Sequence, residues 1–343
     1  MQRVWQSRGW VARLLLPVAW LHACAVYARV MLFRFGIFKS ERFPVAVVVV
    51  GNLVVGGAGK TPLVIALATY LQARGYRVGV VSRGYGRTVQ DTIEVSADTP
   101  VEASGDEPAL IKRATGAPVF VAEKRVQAVR LLLAAYPDTE VVLSDDGLQH
   151  YALRRDIEIA AFDDRGVGNG WLMPAGPLRE PWPGRKKRGI DLILHTGQTP
   201  TFGGFSSTRK LADHAVAADG STIPLAALQG KPLIALAAIA EPDAFFRMLR
   251  QLGLVLQNTI FLPDHYDFKG SDLSALAGQT VLCTEKDAVK LFPRQGSGHN
   301  GSPVKLWAIP LEFTPEPAFL SALDTLLATV LSQLPSAHGY QTT

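Results

Sequence analysis

Apolar residues in this chain fall into short unbroken runs separated by stretches with helical spacing. The run Val45 to Val50, preceded by Pro44, is β-branched or small at every position. A run of that kind predicts a strand buried on both faces of a parallel sheet. A Gly-rich turn follows, then a helix from about Lys60 to Arg74, with Gly75 as its stop. Further strands are predicted at Val78 to Ser82, Pro118 to Ala122, Glu140 to Ser144, Ile157 to Phe162 and Ile190 to His195. Helical spacing lies between them at Glu107 to Ala114 and Lys124 to Ala135. Strands alternating with helices mean βαβ units and a mostly parallel sheet flanked by helices.

Residues 198–230 are rich in Gly, Ser, Thr and Ala and carry the turn signal Asp219-Gly220, so they are expected to form a hinge or β-ribbon linker. A second alternating set follows. Its strands are predicted at Leu233 to Ala238, Leu254 to Phe261, Thr280 to Thr284 and Lys305 to Ile309, and its helices at Pro242 to Leu252 and Pro317 to Leu334. The expected organisation is an N-terminal region (1–40), a nucleotide-binding core (41–197), the linker (198–230), a second, smaller α/β lobe (231–334) and a flexible tail (335–343). Two lobes with a cleft between them suit closure over two substrates.

The N-terminal region is apolar and aromatic from Val11 to Phe38, but Arg13, His22, Arg29 and Arg34 interrupt it. The uncharged stretch Leu14 to Tyr27 falls short of the ~20 residues a spanning helix needs. Arginines mixed with Trp5, Trp10, Trp20, Phe33, Phe35 and Phe38 predict an amphipathic helix lying in a membrane interface; a helix packed on the protein's own core is the other reading.

Composition narrows the class. Apolar residues make up 48% of the 343 residues and charged residues 19%, which is enough apolar content for a sizeable core and excludes wholesale disorder. The net charge of +5 favours anionic partners without choosing among nucleotides, acidic lipids and nucleic acid. Cys24 and Cys283 are far apart and show no metal-binding spacing, so they read as thiols in a reducing compartment.

The strongest chemical signal is Gly56-Gly57-Ala58-Gly59-Lys60-Thr61, between the first strand and a helix. Glycines let backbone N–H groups curl around phosphate oxygens, and the helix N-terminus adds positive charge. In such a P-loop, Val54 to Thr61 cradle ATP, Lys60 reaches the β and γ phosphates, and the Thr61 hydroxyl ligates Mg2+. Val54 stands where the common pattern has glycine. The form is similar to that of ParA-like ATPases, but Val55 replaces the lysine those proteins often carry.

Val141 to Asp146 has the pattern of a strand that delivers a carboxylate beside the P-loop magnesium, through Asp145 or Asp146. Gly147-Leu148-Gln149-His150 then places polar groups at the sheet's carboxyl edge, where ligands bind. His150 is either a ligand contact or a plain loop residue. In Ser104-Gly105-Asp106-Glu107-Pro108 the acids either cap a helix or supply the carboxylate a kinase needs to orient a hydroxyl. His265, in Pro263-Asp264-His265-Tyr266-Asp267-Phe268, is a surface turn residue or, across a closed cleft, a partner for Asp106. Thr284-Glu285-Lys286-Asp287 compares with a guanine-reading motif, but its lysine is one place late. The basic groups Arg83, Arg87, Arg179 and Arg185 to Arg188 are either solvated or available to phosphate and anionic lipid.

In order and spacing these motifs resemble the tetraacyldisaccharide 4'-kinases (lipid A 4'-kinases). The likeness also takes in Pro174-Ala175-Gly176-Pro177-Leu178-Arg179-Glu180, and its minor variation is Ala58, where that family often has threonine. The resemblance implies a kinase that moves the ATP γ-phosphate to the 4'-hydroxyl of a lipid A disaccharide precursor at the cytoplasmic face of the bacterial inner membrane. It implies Asp106 paired with His265 as catalytic base and Lys60 on the transferring phosphoryl. It places Thr61, Asp145, Asp146 and Glu180 around magnesium, and Arg83, His150 and Arg179 on substrate. Partners would be the lipid precursor and the membrane surface, met by the N-terminal region, with no nucleic acid and no obligate protein partner. The alternative from another class is a P-loop switch or partitioning ATPase at the membrane surface.

Overall fold

A computed structural model describes residues 4–182, 190–268, 273–294 and 304–334. The basic run 185–188 and the tail 335–343 lie outside the described residues. The first lobe is built on nine strands in the order β15-β8-β7-β6-β1-β5-β2-β4-β3. Its centre is β1 (Ala46–Gly51), flanked in parallel by β5 (Val141–Asp145) and β6 (Ile157–Phe162). Beyond β5 lie β2 (Val78–Ser82), β4 (Val119–Val121) and the antiparallel β3 (Ile93–Val95). Beyond β6 lie β7 (Ile190–His195) and β8 (Phe205–Leu211) in parallel, then the antiparallel edge strand β15 (Leu311–Pro315).

β1 is buried along its whole length because helices cover both faces of the sheet. Ala46, Val48 and Val50 join a core with Leu63, Leu67 and Leu71 of α3 (Lys60–Ala73) and Ile111 of α5 (Asp106–Thr115). Val47 and Val49 face Ala128, Val129 and Leu132 of α6 (Arg125–Ala135). A short α4 (Val101–Ser104) leads into α5.

The second lobe has six strands in the order β10-β9-β14-β13-β11-β12. β11 (Leu233–Ala237), β12 (Leu256–Phe261), β13 (Thr280–Thr284) and β14 (Lys305–Ile309) run parallel. The hairpin of β9 (His214–Val216) and β10 (Thr222–Pro224) adds antiparallel to β14. α7 (Pro242–Gln251) covers one face with Phe245, Phe246 and Leu249, and α8 (Glu285–Leu291) the other with Ala288 and Leu291.

The chain path differs from the predicted division in two places. β8, expected within the linker, extends the first sheet. After β14 the chain returns to the first lobe: β15 pairs with β8 from Leu311 opposite Leu211 to Pro315 opposite Ser207. α9 (Pro317–Gln333) then buries Phe319, Leu323 and Leu327 in the core beneath β1 and α3. The i, i+4, i+8 spacing of those residues announces an apolar face, but periodicity carries no information on which sheet that face covers.

The N-terminus forms α1 (Trp10–Leu14) and the 19-residue α2 (Leu16–Arg34). Trp5 Nε1 donates to the carbonyl of Pro174, and Arg8 Nε to that of Asn169. The inward side of α2 holds Ala19, His22 and Val26. Its outward side is not the charged face expected of an amphipathic helix: Val18 and Leu21 there are 52% and 72% exposed. By length and composition alone α2 is sufficient to cross a membrane. The uncharged stretch Leu14 to Tyr27 falls short of that length, whereas the helix runs on through Arg29 to Arg34.

Candidate active site

The carboxyl ends of β1, β2 and β5 open into a cleft of roughly 2080 Å3 between the lobes. β1 sits where the strand order reverses, which is where open α/β sheets bind ligands. The P-loop leaves β1 there and enters α3 through Gly59, in the left-handed region at φ 69°. A Cβ on Gly59 would stand 3.1 Å from Thr196, so the turn needs glycine for both conformation and space.

Side chains outside the loop hold its carbonyls. Asn52 Nδ2 donates to Gly56 O at 2.9 Å, Arg165 Nη2 to Gly57 O at 2.7 Å, and Thr196 Oγ1 to Ala58 O at 3.1 Å. Asp163 holds Arg165 in turn, at 2.5 Å. Val54 is a buried core residue, and the Val55 amide donates to the carbonyl of Pro177. The loop carbonyls are thus tied back while the residues Gly56 to Thr61 line the cleft. Asn52, Thr196 and Arg165 escaped sequence reasoning: single polar residues in unrelated loops carry no spacing signal.

Lys60 is buried, with its Nζ 3.3 Å from Asn52 Oδ1 and 3.7 Å from Asp146 Oδ1. Asp146 adopts a left-handed backbone at φ 47° and also accepts from Arg179 Nη1 at 3.2 and 3.3 Å. Burial pushes the Asp146 carboxyl up, but Lys60 and Arg179 outweigh it and hold the group below its ordinary range. Asp145 differs. Its Oδ2 accepts from Ser82 Oγ at 3.3 Å, while its Oδ1 is buried with no hydrogen-bond partner among the described residues. Burial, then Glu107 and Asp146, push Asp145 up to about 7.

That orphaned oxygen, on a residue that lines the same cleft as the P-loop threonine, fits a divalent cation, since a cation would satisfy it and favour its ionised form. Among the described residues no three His, Cys, Asp or Glu side chains gather into a metal cluster. Thr61, Asp145 and Asp146 are the residues that would hold such a cation, with phosphate oxygens completing its shell. Glu180 is buried in the wall of the same cleft and accepts from Tyr151 Oη at 2.5 Å.

Arg125 is a further group the sequence did not expose, because a lone arginine opening an apolar helix resembles any other. It is 2% exposed and donates through Nη2 to the carbonyl of Asp145 at 2.9 Å. Burial lowers it to about 10, so it stays charged at neutral pH. Burial, then Arg125 and Arg83, press His150 down to about 3, so its ring is neutral. His150, Arg83, Arg125, Arg179 and Tyr85 line one wall of the cleft.

Asp106 begins α5 beside the same cleft, whose lining includes its neighbour Glu107 and its partner His265. The loops that carry Asp106 and Arg83 meet back to back: a Cβ on Gly84 would sit 2.5 Å from Ser104 O. Asp106 Oδ2 lies 3.0 Å from Nδ1 of His265 and 2.6 Å from Nζ of Lys290, both contributed by the second lobe. Burial pushes Asp106 up, but these two partners hold it below the ordinary carboxylate range. His265 is also left-handed, at φ 62°, and its ring packs on Tyr85 at 5.5 Å. Non-glycine residues in that region cost roughly 1–3 kcal/mol and cluster at functional sites, where the surrounding structure imposes them. The structure thus brings Asp106 and His265 together across the lobes, and Lys60, Asp145, Asp146 and Arg179 together beneath the P-loop.

A family model described as tetraacyldisaccharide-1-P 4'-kinase matches residues 11–328. A tetraacyldisaccharide 4'-kinase of Polaromonas naphthalenivorans (strain CJ2) is 66% identical over 341 residues, covering 99% of this chain and 98% of the relative. One from Polaromonas sp. (strain JS666 / ATCC BAA-500) is 67% identical over 340 residues, with 99% of each covered. A relative of the same name from Acidovorax sp. (strain JS42) is 50% identical over 334 residues, with 97% and 95% covered. The crystal structure of an "apo" form LpxK from Aquifex aeolicus in complex with ATP is similar at a TM-score of 0.79 and 30% identity, over 94% of this chain and 99% of that one.

Proposed function

This chain belongs to the tetraacyldisaccharide 4'-kinase family, and we propose on that footing that it moves the γ-phosphate of ATP to the 4'-hydroxyl of a tetraacyldisaccharide 1-phosphate, making lipid IVA. The observation that carries the chemistry is the Asp106–His265 pair, at 3.0 Å, set at a cleft that His265 and the P-loop both line. A P-loop switch needs no such carboxylate.

The phosphoryl group transfers through a loose transition state, so most of the work is positioning and charge stabilisation. The backbone amides of Gly57 to Thr61 and the α3 N-terminus receive the phosphate chain. Lys60 follows the charge that develops on the transferring group. Asp106 orients the 4'-hydroxyl and takes its proton as oxygen bonds to phosphorus and ADP leaves. His265 holds the carboxylate in place. Arg83, His150 and Arg179 line the wall available to the acceptor's head group. Thr61 with Asp145 and Asp146 would hold magnesium, and Glu180 stands behind them. When bound, magnesium neutralises the phosphate oxygens.

The outward apolar side of α2 supports docking on the inner membrane from the cytoplasmic side, with the acyl chains of the acceptor left in the bilayer. The test is incubation of the purified protein with labelled ATP, magnesium and a detergent-solubilised disaccharide 1-phosphate lipid. The expected product is the lipid heavier by one phosphate. ATP consumption without any gain of lipid mass would favour the switch ATPase instead.

A further inference from the structure

α8 begins at Thr284, whose hydroxyl accepts from the Asp287 amide as an N-cap. The Asp287 carboxylate accepts in turn from Thr284 Oγ1 and from the amide of Ala238 at the end of β11. These bonds fix the start of the helix against the second sheet. Lys286 and Lys290, one turn apart, therefore point to the same side. That side meets α5 of the first lobe.

Lys290 is confined. Its Nζ lies 2.9 Å from the carbonyl of Tyr266 and 2.6 Å from Asp106 Oδ2, and both side chains are about one-tenth exposed. Lys286 Nζ lies 3.0 Å from Asp264 Oδ1 and 3.4 Å from His265 Nε2. An ammonium only donates, so Nε2 is the accepting nitrogen and the ring proton sits on Nδ1. The Nδ1–H then donates to Asp106 Oδ2. Asp264 Oδ2, 3.9 Å from Nε2, is too distant to claim that nitrogen. Both donors to Asp106 thus fall on one oxygen, Oδ2. The other, Oδ1, takes no hydrogen bond among the described residues.

Resting on the reading of Asp106 as base, we propose that Lys290 is a positioning residue for phosphoryl transfer: with His265 it occupies Oδ2 and thereby presents Oδ1 to the acceptor hydroxyl. The proton moves from that hydroxyl to Oδ1 while the new O–P bond forms and the bond to ADP breaks. Lys290 keeps its own proton throughout. Because transfer needs little covalent help, a carboxylate turned away from the hydroxyl forfeits most of its value. Lys286 acts one step further out, by keeping the His265 proton on the nitrogen that faces Asp106.

The test compares Lys290→Cys, in a Cys24→Ser background, before and after alkylation with bromoethylamine, which restores an ammonium at nearly lysine reach. Lys290→Cys is expected to lower kcat about 10²-fold, the scale of a small misplacement, with the KM for ATP unchanged and kcat recovered on alkylation. Full kcat without alkylation overturns the proposal, as does a loss that alkylation leaves unrepaired. Asp106→Asn is measured beside it: near-normal turnover there overturns the base reading itself, whereas an inactive Asp106→Asn with an unimpaired Lys290→Cys removes only the role of Lys290. Nitrogen-15 spectra of the unsubstituted protein, independent of any variant's folding, should show His265 with Nδ1 protonated and Nε2 bare. Protonated Nε2 overturns the assignment.

Discussion

Nε2 of His22, on the apolar helix α2, lies 3.3 Å from the carbonyl oxygen of Arg179, whose guanidinium grips Asp146 beside the P-loop. The segment suited to lipid and the P-loop are therefore joined by two hydrogen-bonded steps and the Asp146–Lys60 ion pair. Phe33 and Arg29 add to the joint by packing on Tyr151, the residue that donates to Glu180.

The outward side of α2 should carry membrane binding. Leu21→Asp with Val18→Asp exchanges apolar side chains for charges at two of the exposed apolar positions of α2. Each lost apolar contact with lipid is worth roughly 1.5–3 kcal/mol, so co-sedimentation with liposomes should fall by two orders of magnitude or more. ATP binding should persist. Undiminished co-sedimentation would assign the membrane contact to another surface.

Asp106→Ala should reduce turnover roughly 10²–10⁴-fold and leave ATP affinity near that of the unsubstituted protein, since in the proposed mechanism Asp106 acts on the acceptor hydroxyl and not on the nucleotide. Rapid-quench measurement of product separates the two quantities.

His265→Ala should move the acid limb of the kcat/KM profile to higher pH. Burial raises the Asp106 carboxyl, and the His265 and Lys290 partners lower it to a net value below 3.8. Removing His265 leaves burial opposed by Lys290 alone, so protonation of the base sets in at a higher pH. An unmoved limb would mean that His265 does not act on Asp106.

Magnesium–ATP binding should release protons near neutrality. In the free protein burial holds Asp145 up to about 7, so near and below that pH a large share of the group is protonated. A cation at Oδ1 favours the anion and expels that proton, so affinity should fall as pH drops below that value. Calorimetry in buffers of different ionisation enthalpy reports the count. Asp145→Asn should abolish it.

Lys60→Ala should lower the rate of transfer about 10²–10³-fold, the scale for deleting one donor to developing charge. The same change removes a cation that lowers Asp145, so the pH dependence of magnesium binding should shift upward.

Much of this arrangement was legible in the chain because single segments carry it. The Val45–Val50 run, the glycines before Lys60 and the acids ending β5 are contiguous, and contiguity is what sequence displays. The pairing of Asp106 with His265 spans 159 positions; the residues alone left it as one of two readings, and the family resemblance favoured it. Lys290 and Arg125 were missed for the same reason: each acquires meaning from a partner on another element. The membership of β15 and α9 was misjudged because an apolar face does not name the sheet that will cover it. The outward face of α2 was misread because arginines near its ends were weighted as though they lay along its side.

The return of β15 beside β8 has one further result. The entire smaller lobe is threaded between two adjacent antiparallel strands, so it enters and leaves through a single doorway. A body hung from two neighbouring cords can nod but cannot readily twist. His265 and Lys290 would then approach and quit Asp106 along one repeatable arc, and cutting either cord would cost the enzyme its aim before it cost either half its fold.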